Sequence, residues 1–247
     1  MEDVTEVREE ALHYFVIRKE IPFKGKAYIL VRRCRADVLP SLLRELTGDL
    51  LRLGAKQVFC SVTDPSLVLS EESFFAGEYL FRFDGTVDCL ERGTTAEGFE
   101  SPDPGFRAEP LTRENAPVFL TMYNECFFSV PNSATYGEED IRRMLENRVF
   151  EGILFTFRGA TAGLLELSYQ DLVPELASVA VSERFRGRGL GRDIVLYGLE
   201  HLRQRGHFLA FLRVSSRNTA AYHLYLSLGF RQTDVASRWY VHRPEGV

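Results

Sequence analysis

One segment of this chain, Ser178-Val-Ala-Val-Ser-Glu-Arg-Phe-Arg-Gly-Arg-Gly-Leu-Gly-Arg192, limits what it can fold into more than any other. An apolar strand pattern runs into Gly187, Gly189 and Gly191, and a helical pattern follows through about Arg205. Strand must therefore pass to helix through a turn that glycine makes easily. A helix opened this way leaves its first N–H groups without intrahelical partners and turns its positive end toward the turn. Phosphate or pyrophosphate is the natural guest of such a place. A glycine-rich joint that merely lets strand meet helix is the plainer alternative.

Charge sharpens the same segment. Between Val181 and Arg217 stand eight arginines against three acids, Glu183, Asp193 and Glu200, a local charge of +5 in a chain of net charge -5. The overall balance argues against a chain that coats nucleic acid or an anionic membrane by bulk charge, so neither partner is expected. Arginine's fork suits phosphate. Yet the only lysines are Lys19, Lys24, Lys26 and Lys56, and a bias in base composition explains so general a preference for arginine equally well. At 45% hydrophobic and 26% charged residues the chain has material for a packed core.

The acidic stretch Met1 to Glu10 lacks the basic and apolar regions of a secretory signal, and no apolar run approaches the roughly 20 residues needed to cross a bilayer. Cys34, Cys60, Cys89 and Cys126 are scattered, and the histidines show no ligand spacing. A cytoplasmic protein with neither disulfides nor a metal is expected.

Length places 247 residues between one large domain and two small ones. Glycines and prolines without hydrophobic periodicity fill Arg92 to Phe106, which reads as a linker. The expected division is residues 1–91, a linker 92–105 and a second unit 106–247. In the first unit Ala27 to Val31 and Gln57 to Val62 read as strands and Asp37 to Leu53 as a helix. Tyr79 to Leu90 reads as a hairpin turning at Asp84-Gly85. In the second, strands are expected at Phe106 to Glu109, Ile153 to Phe157, Ala162 to Leu167, Glu175 to Val181, His207 to Val214 and Trp239 to Val241. Helices are expected from Thr112, a candidate cap, to Phe127, over Tyr136 to Asn147, up to about Arg205, and over Asn218 to Leu228. Interleaved helices and strands make a mixed α/β sheet covered by helices.

Two familiar phosphate loops do not fit. After Gly187 and Gly189 a dinucleotide fingerprint needs glycine where Arg192 stands, and a Walker loop needs a lysine that is absent. The sequence instead resembles the GNAT acetyltransferase superfamily, whose coenzyme A loop R/Q-x-x-G-x-G/A is matched by Arg186-Gly187-Arg188-Gly189-Leu190-Gly191. A second block, Asn218 through Ala221 and Tyr225 to Gly229-Phe230, is similar to the family pattern N-x-x-A/S-x-x-x-Y-x-x-x-G-F. The resemblance covers roughly Phe106 to Val241. It implies a mixed, mostly antiparallel GNAT-type sheet flanked by helices, preceded by a smaller α/β domain.

The resemblance further implies acetyl-coenzyme A as co-substrate. Its pyrophosphate would rest on the amides of Gly187 to Arg192, with Arg186, Arg188 and Arg192 supplying charge, and its pantetheine on the backbone of Val179, Ala180 and Val181. Asn218 matches a residue that contacts the coenzyme, which a helix N-cap role also explains. Tyr225 matches the tyrosine near the coenzyme sulfur, protonated at neutral pH and able to donate to the departing thiolate; a packed aromatic explains it too. Glu175, at the start of the strand before the coenzyme loop, is the first choice for taking the acceptor's proton, with Glu166 and Tyr169 behind it. Surface salt bridges or solvated strand ends account for these residues equally well. The loop Phe127 to Tyr136 is expected in the acceptor pocket.

The implied reaction is N-acetylation of a small-molecule or peptide amine. An inactive acyl-coenzyme A sensor, an O-acyltransferase and a protein-lysine modifier stay open, as do monomer and homodimer. The first unit echoes the second in its strand-helix-strand order but has no glycine between Val31 and Leu42. It reads as a degenerate relative in tandem with the second, or as an unrelated α/β domain.

Overall fold

The computed structural model describes residues 3–64, 66, 67, 69–95, 105–130 and 132–244. The chain divides into two units, Met1–Asp88 with Val235–Val247, and Cys89–Asp234. The boundary falls within a strand and returns the end of the chain to the first unit, where the sequence reading keeps 106–247 together. Most of the expected linker, residues 96–104, lies outside the described residues.

The first unit begins with β1 (Val4–Arg8), β2 (His13–Ile17), α1 (Ile21–Lys24), β3 (Lys26–Arg33), α2 (Leu39–Arg52), β4 (Gln57–Val62) and β5 (Ser73–Ala76). The strands β1, β2 and β3 pair antiparallel in sequence order. The next pair, β3 and β4, is parallel over six consecutive positions, Lys26↔Gln57 to Val31↔Val62, and α2 is its crossover. Leucines at helical spacing put Leu39, Leu43 and Leu50 on one buried stripe of α2, packed with Val16, Ile29, Val31 and Val58. The free edge of β4 takes the last strand of the chain, β12 (Arg231–His242), antiparallel from Trp239↔Ser61 to His242↔Val58. Only the buried end of β12 carries an apolar signal; Arg231 to Val235 are exposed, so the sequence shows a strand of three residues where twelve are found.

The expected hairpin at Asp84-Gly85 is not formed. Tyr79 to Gly93 is one strand, β6, and the hairpin turns earlier, at Gly77-Glu78, where β5 pairs with β6 from Ser73↔Arg82 to Ala76↔Tyr79. Gly77 has φ +62, the left-handed conformation that a two-residue hairpin turn requires. Asp84 is instead almost fully buried, with its carboxylate 3.3 Å from Arg243, an arrangement that solvent-facing turn chemistry does not anticipate.

The second unit takes the end of β6 and continues through β7 (Phe106–Pro110), α3 (Ala116–Phe127), α4 (Glu138–Glu146), β8 (Phe150–Phe157), β9 (Ala160–Ser168), β10 (Glu175–Val181), α5 (Leu190–Gln204), β11 (Leu209–Ser215) and α6 (Thr219–Ser227). Its strand order is β7-β8-β9-β10-β11 followed by β6. The first four are antiparallel neighbours, and β10 and β11 are parallel. The result is a mixed α/β fold with a mostly antiparallel sheet flanked by helices. Strand β9 is buried on both faces, which explains its unbroken apolar run. Leu165 and Leu167 pack with Ile194, Val195 and Leu199 of α5, while Leu164 packs with Phe119 and Met122 of α3 and Met144 of α4. Helix α3 starts at Ala116 rather than at Thr112; Thr112 N–H donates to Asn115 Oδ1 at 2.8 Å, closing the entry turn ahead of Pro117. No helix among the described residues is long and apolar enough to cross a membrane.

Candidate active site

The parallel pair β10/β11 is joined only at Glu175↔Phe211. Beyond that position the strands part, so among the described residues the edge of Val179 to Val181 that would face β11 has no strand partner. A bulge between Leu176 and Ser178 in the pairing with β9 accompanies the divergence. Past Val181 a single 3-10 turn, Glu183–Phe185, leads into the glycines. Gly187 and Gly189 sit at φ +73 and +83, and Gly189 is the residue that opens α5. A side chain there would strain the backbone, and no side chain caps the first amides of α5.

Parted strands and turn enclose a cleft of about 580 Å³. Of the sequence-predicted residues, Val179, Ala180, Val181, Arg186, Gly187, Gly189, Leu190, Gly191, Arg192 and Asn218 line it. Asn218 also caps α6, accepting from the Ala221 N–H at 3.4 Å. Arg188 is not in the lining; its guanidinium lies 5.6 Å from the centre of the Phe185 ring. The loop expected in the acceptor pocket contributes Phe127, Ser129 and Val130 to this same wall; its residue 131 lies outside the described residues.

Sequence reasoning missed Arg217, Cys126, Phe185 and Leu224, which also line the cleft. Arg217 had a signal, its place directly before Asn218. Cys126 had none; it ends up here because α3 runs its last turn past Val181, whose carbonyl accepts from the Cys126 thiol at 3.7 Å and from Arg186 Nε–H at 3.2 Å. Burial pushes the Cys126 thiol up, against the pull of Arg186.

The local charge of the segment divides on inspection of its partners. Arg203 pairs with Glu200 at 2.6 Å, Arg205 with Glu151 at 3.2 Å and Arg213 with Glu175 at 2.9 Å. Arg186, Arg192 and Arg217 face the cleft. Burial first, and then the charge of Arg192, holds the guanidinium of Arg92 in β6 below its ordinary value. The cleft is electropositive at the mouth of a helix, the setting that binds phosphate.

Four candidate proton carriers, Glu175, Glu166, Tyr225 and Tyr169, lie outside that lining. Glu175 stands at the last paired position before β10 and β11 diverge and is held by Arg213. Burial raises its carboxyl above the ordinary value, and Arg213 opposes that shift. Glu166, 5% exposed, accepts from Tyr136 Oη and from Ser178 Oγ, each at 2.9 Å; burial raises it as well. Tyr225, one turn along α6 from the lining residue Ala221, is buried against Phe230, and desolvation pushes its phenol up. The third choice for the base, Tyr169, donates to Glu151 at 3.1 Å. Among the described residues no group of His, Cys, Asp and Glu is placed to hold a metal ion.

Comparison with known proteins agrees with this geometry. The model of the acetyltransferase (GNAT) family matches residues 117–230. A mycothiol acetyltransferase from Thermobispora bispora is 32% identical over 143 residues, which is 54% of this chain and 46% of that protein. This chain therefore spans less than half the length of that relative. Among solved structures, a GCN5-related N-acetyltransferase from Kribbella flavida aligns with TM-score 0.63 at 15% identity, over 98% of this chain and 90% of the other. A tandem GNAT protein from the clavulanic acid biosynthesis pathway aligns with TM-score 0.57 at 13% identity, over 98% and 83%. These two likenesses show the fold. With the family model lying across the parted strands, the glycine turn and both sequence blocks, the unit that holds this cleft belongs to the acetyltransferase (GNAT) family.

Proposed function

We propose that the chain transfers an acetyl group from acetyl-coenzyme A to an amine of a small molecule. The observation that carries this reading is the coincidence of the β10/β11 split with the Gly187–Gly191 turn and the electropositive cleft they enclose. The amides of Gly187 to Arg192 would take the pyrophosphate, with Arg186, Arg192 and Arg217 as counter-charges. The edge of Val179 to Val181, which β11 does not cover, would take the amide groups of pantetheine. Acetyl-coenzyme A supplies the activated thioester. Fixed N–H dipoles of the same edge stabilise the charge that acyl transfer builds on the carbonyl oxygen.

Glu175 takes the amine's proton in this scheme, because it stands where the strands part and its raised carboxyl is better matched to that task than an ordinary one. Tyr225, kept protonated by burial, gives its proton to the leaving thiolate. A small acceptor accords with the relatives named mycothiol acetyltransferase. Calorimetric titration with coenzyme A tests the cleft, and thiol release with a panel of primary amines tests the transfer. Absence of coenzyme binding sinks the proposal; binding with no turnover on any amine turns it into a sensor. In an active enzyme, Tyr225→Phe is expected to lower kcat by about 10²-fold, the lower end for a positioned acid.

A further inference from the structure

Glu166 is a buried acid that the scheme above leaves without a task. Its oxygen Oε2 receives both the Tyr136 and the Ser178 hydroxyl, each at 2.9 Å, and among the described residues it has no ion pair. Burying a carboxylate without a cation is costly, so the arrangement calls for a reason.

The two donors come from two different elements that line the cleft, strand β10 and the loop after α3. Ser178 precedes Val179, the first residue of the diverging edge of β10 that lines the cleft. Tyr136 ends the loop whose first part, Phe127, Ser129 and Val130, also lines the cleft. Tyr136 is itself fixed on α3: Asn124 donates to its carbonyl at 2.9 Å and accepts from its N–H at 2.8 Å. Its ring stacks on Tyr123 with centroids 3.6 Å apart, and Tyr123 stacks on Phe127 at 4.5 Å. An unbroken path thus runs from the cleft wall at Phe127 through Tyr123, Tyr136, Glu166 and Ser178 back to the cleft at Val179.

We propose that Glu166 is a positioning residue, whose single oxygen ties Tyr136, at the end of the loop after α3, to Ser178 of the diverging strand and so holds together two elements that line the cleft. This rests on the acyl-transfer reading of the same cleft. An oxygen that accepts both hydroxyls is what the tie needs, so a neutral acceptor of the same shape keeps the geometry.

The test uses the full chain and four variants. Glu166→Gln keeps an oxygen that can accept both hydroxyls; Glu166→Leu keeps much of the volume and accepts neither; Ser178→Ala and Tyr136→Phe remove one donor each. Hydrogen exchange of the amides of 127–136 and calorimetric affinity for coenzyme A are the readouts. Loss of the two buried hydrogen bonds in Glu166→Leu is expected to speed exchange in the loop and to weaken coenzyme binding, each by about tenfold. Rescue by Glu166→Gln to within about twofold of the native chain is the mark of positioning. Each single-donor variant should fall between these and carries the test if Glu166→Leu does not fold. Unchanged loop exchange and unchanged affinity in Glu166→Leu, or in both donor variants, overturn the proposal. If the native chain binds no coenzyme A, the acyl-transfer reading itself falls, a result distinct from native binding that survives the substitutions.

Discussion

Each unit contains, among the described residues, a parallel strand pair bridged by a helix, and the two pairs behave differently. In the first, β3 and β4 stay paired over six positions with α2 packed across them. In the second, β10 and β11 share the single position Glu175↔Phe211. The helix starts differ as well. α2 follows Val38, at φ -90, and has proline in its first turn, whereas α5 follows Gly189 in the left-handed region. A closed parallel ladder spends its backbone donors on the neighbouring strand, and a proline-led helix start offers one amide fewer. Open strands and a glycine-led start leave both sets of donors facing one space. A cleft for an anionic, amide-bearing ligand therefore needs both departures together, and the first unit has neither.

The most severe test removes the strand that supports the open pair. Having parted from β10, β11 keeps β6 as its other neighbour, and Leu90 of β6 is fully buried in the core of the second unit. A fragment of residues 106–247 is expected to show no cooperative melting and no coenzyme binding. A fragment of residues 1–234, which removes the end of β12 that lies between β4 and β6, should melt lower yet keep the cleft. Equal folding and binding by the 106–247 fragment would break the contrast between open and closed pairs.

Next in size is the helix start. Valine at position 189 must adopt the left-handed backbone that Gly189 holds at φ +83, which costs a β-branched residue about 1–3 kcal/mol and shifts the amides of the turn. Gly189→Val is expected to weaken coenzyme A binding by roughly 30-fold or more, the fold-change equivalent of 2 kcal/mol. Val38→Gly, the matching exchange before α2, should leave coenzyme affinity unchanged. If Gly189→Val binds normally, the amide cradle is not where the pyrophosphate sits.

These contrasts also show why the sequence was readable in one unit and less so in the other. The Gly187–Gly191 turn was legible because positive φ and unpaired amides demand a particular residue type, and Asn218 because capping does. The split of β10 from β11 was not, since Ser178 to Val181 reads as an ordinary apolar strand whether or not a neighbour pairs with it. The misplaced hairpin has the same origin: Asp84-Gly85 carries turn chemistry, but Arg243, 159 residues away along the chain, turns Asp84 into a buried ion-paired strand residue. Burial of Glu166 between two hydroxyls likewise depends on a loop and a neighbouring strand that no local pattern announces.

A smaller effect separates the arginines. Arg217 lines the cleft, and loss of one charge-assisted contact to phosphate is worth about 1.5–3 kcal/mol. Arg217→Ala should therefore weaken coenzyme A binding at least tenfold, and less at high salt as screening grows. Arg44 of α2, bonded to Glu78 at 2.7 Å on the surface of the first unit, provides the control: Arg44→Ala should leave affinity unchanged. A loss in both, or in neither, would mean that charge location does not distinguish the two crossovers.

The smallest expected effect concerns the strand starts, Lys26 in β3 and Glu175 in β10, and it follows from the sign of each shift. Burial, followed by the neighbouring Lys24, lowers the ammonium of Lys26, and burial raises the carboxyl of Glu175 against Arg213. For Glu175 the folded chain prefers the neutral acid, so ionisation costs stability as pH rises from the ordinary carboxylate value through the raised one. The cost is absent below the ordinary value and grows as pH rises through the raised one. Glu175→Gln should therefore melt higher by about 1–2 °C at pH 7, with the difference vanishing in acid, while acetyl transfer is lost. For Lys26 the folded chain prefers the neutral amine, so the cost is present at neutral pH and disappears only above the ordinary lysine value. Lys26→Met should match the gain at pH 7, keep it in acid, and leave transfer intact. The two melting differences thus diverge below the carboxylate range, and only the residue at the open pair exchanges stability for activity. A Glu175→Gln variant less stable than the native chain at pH 7 would show instead that Arg213 holds that carboxylate for the fold.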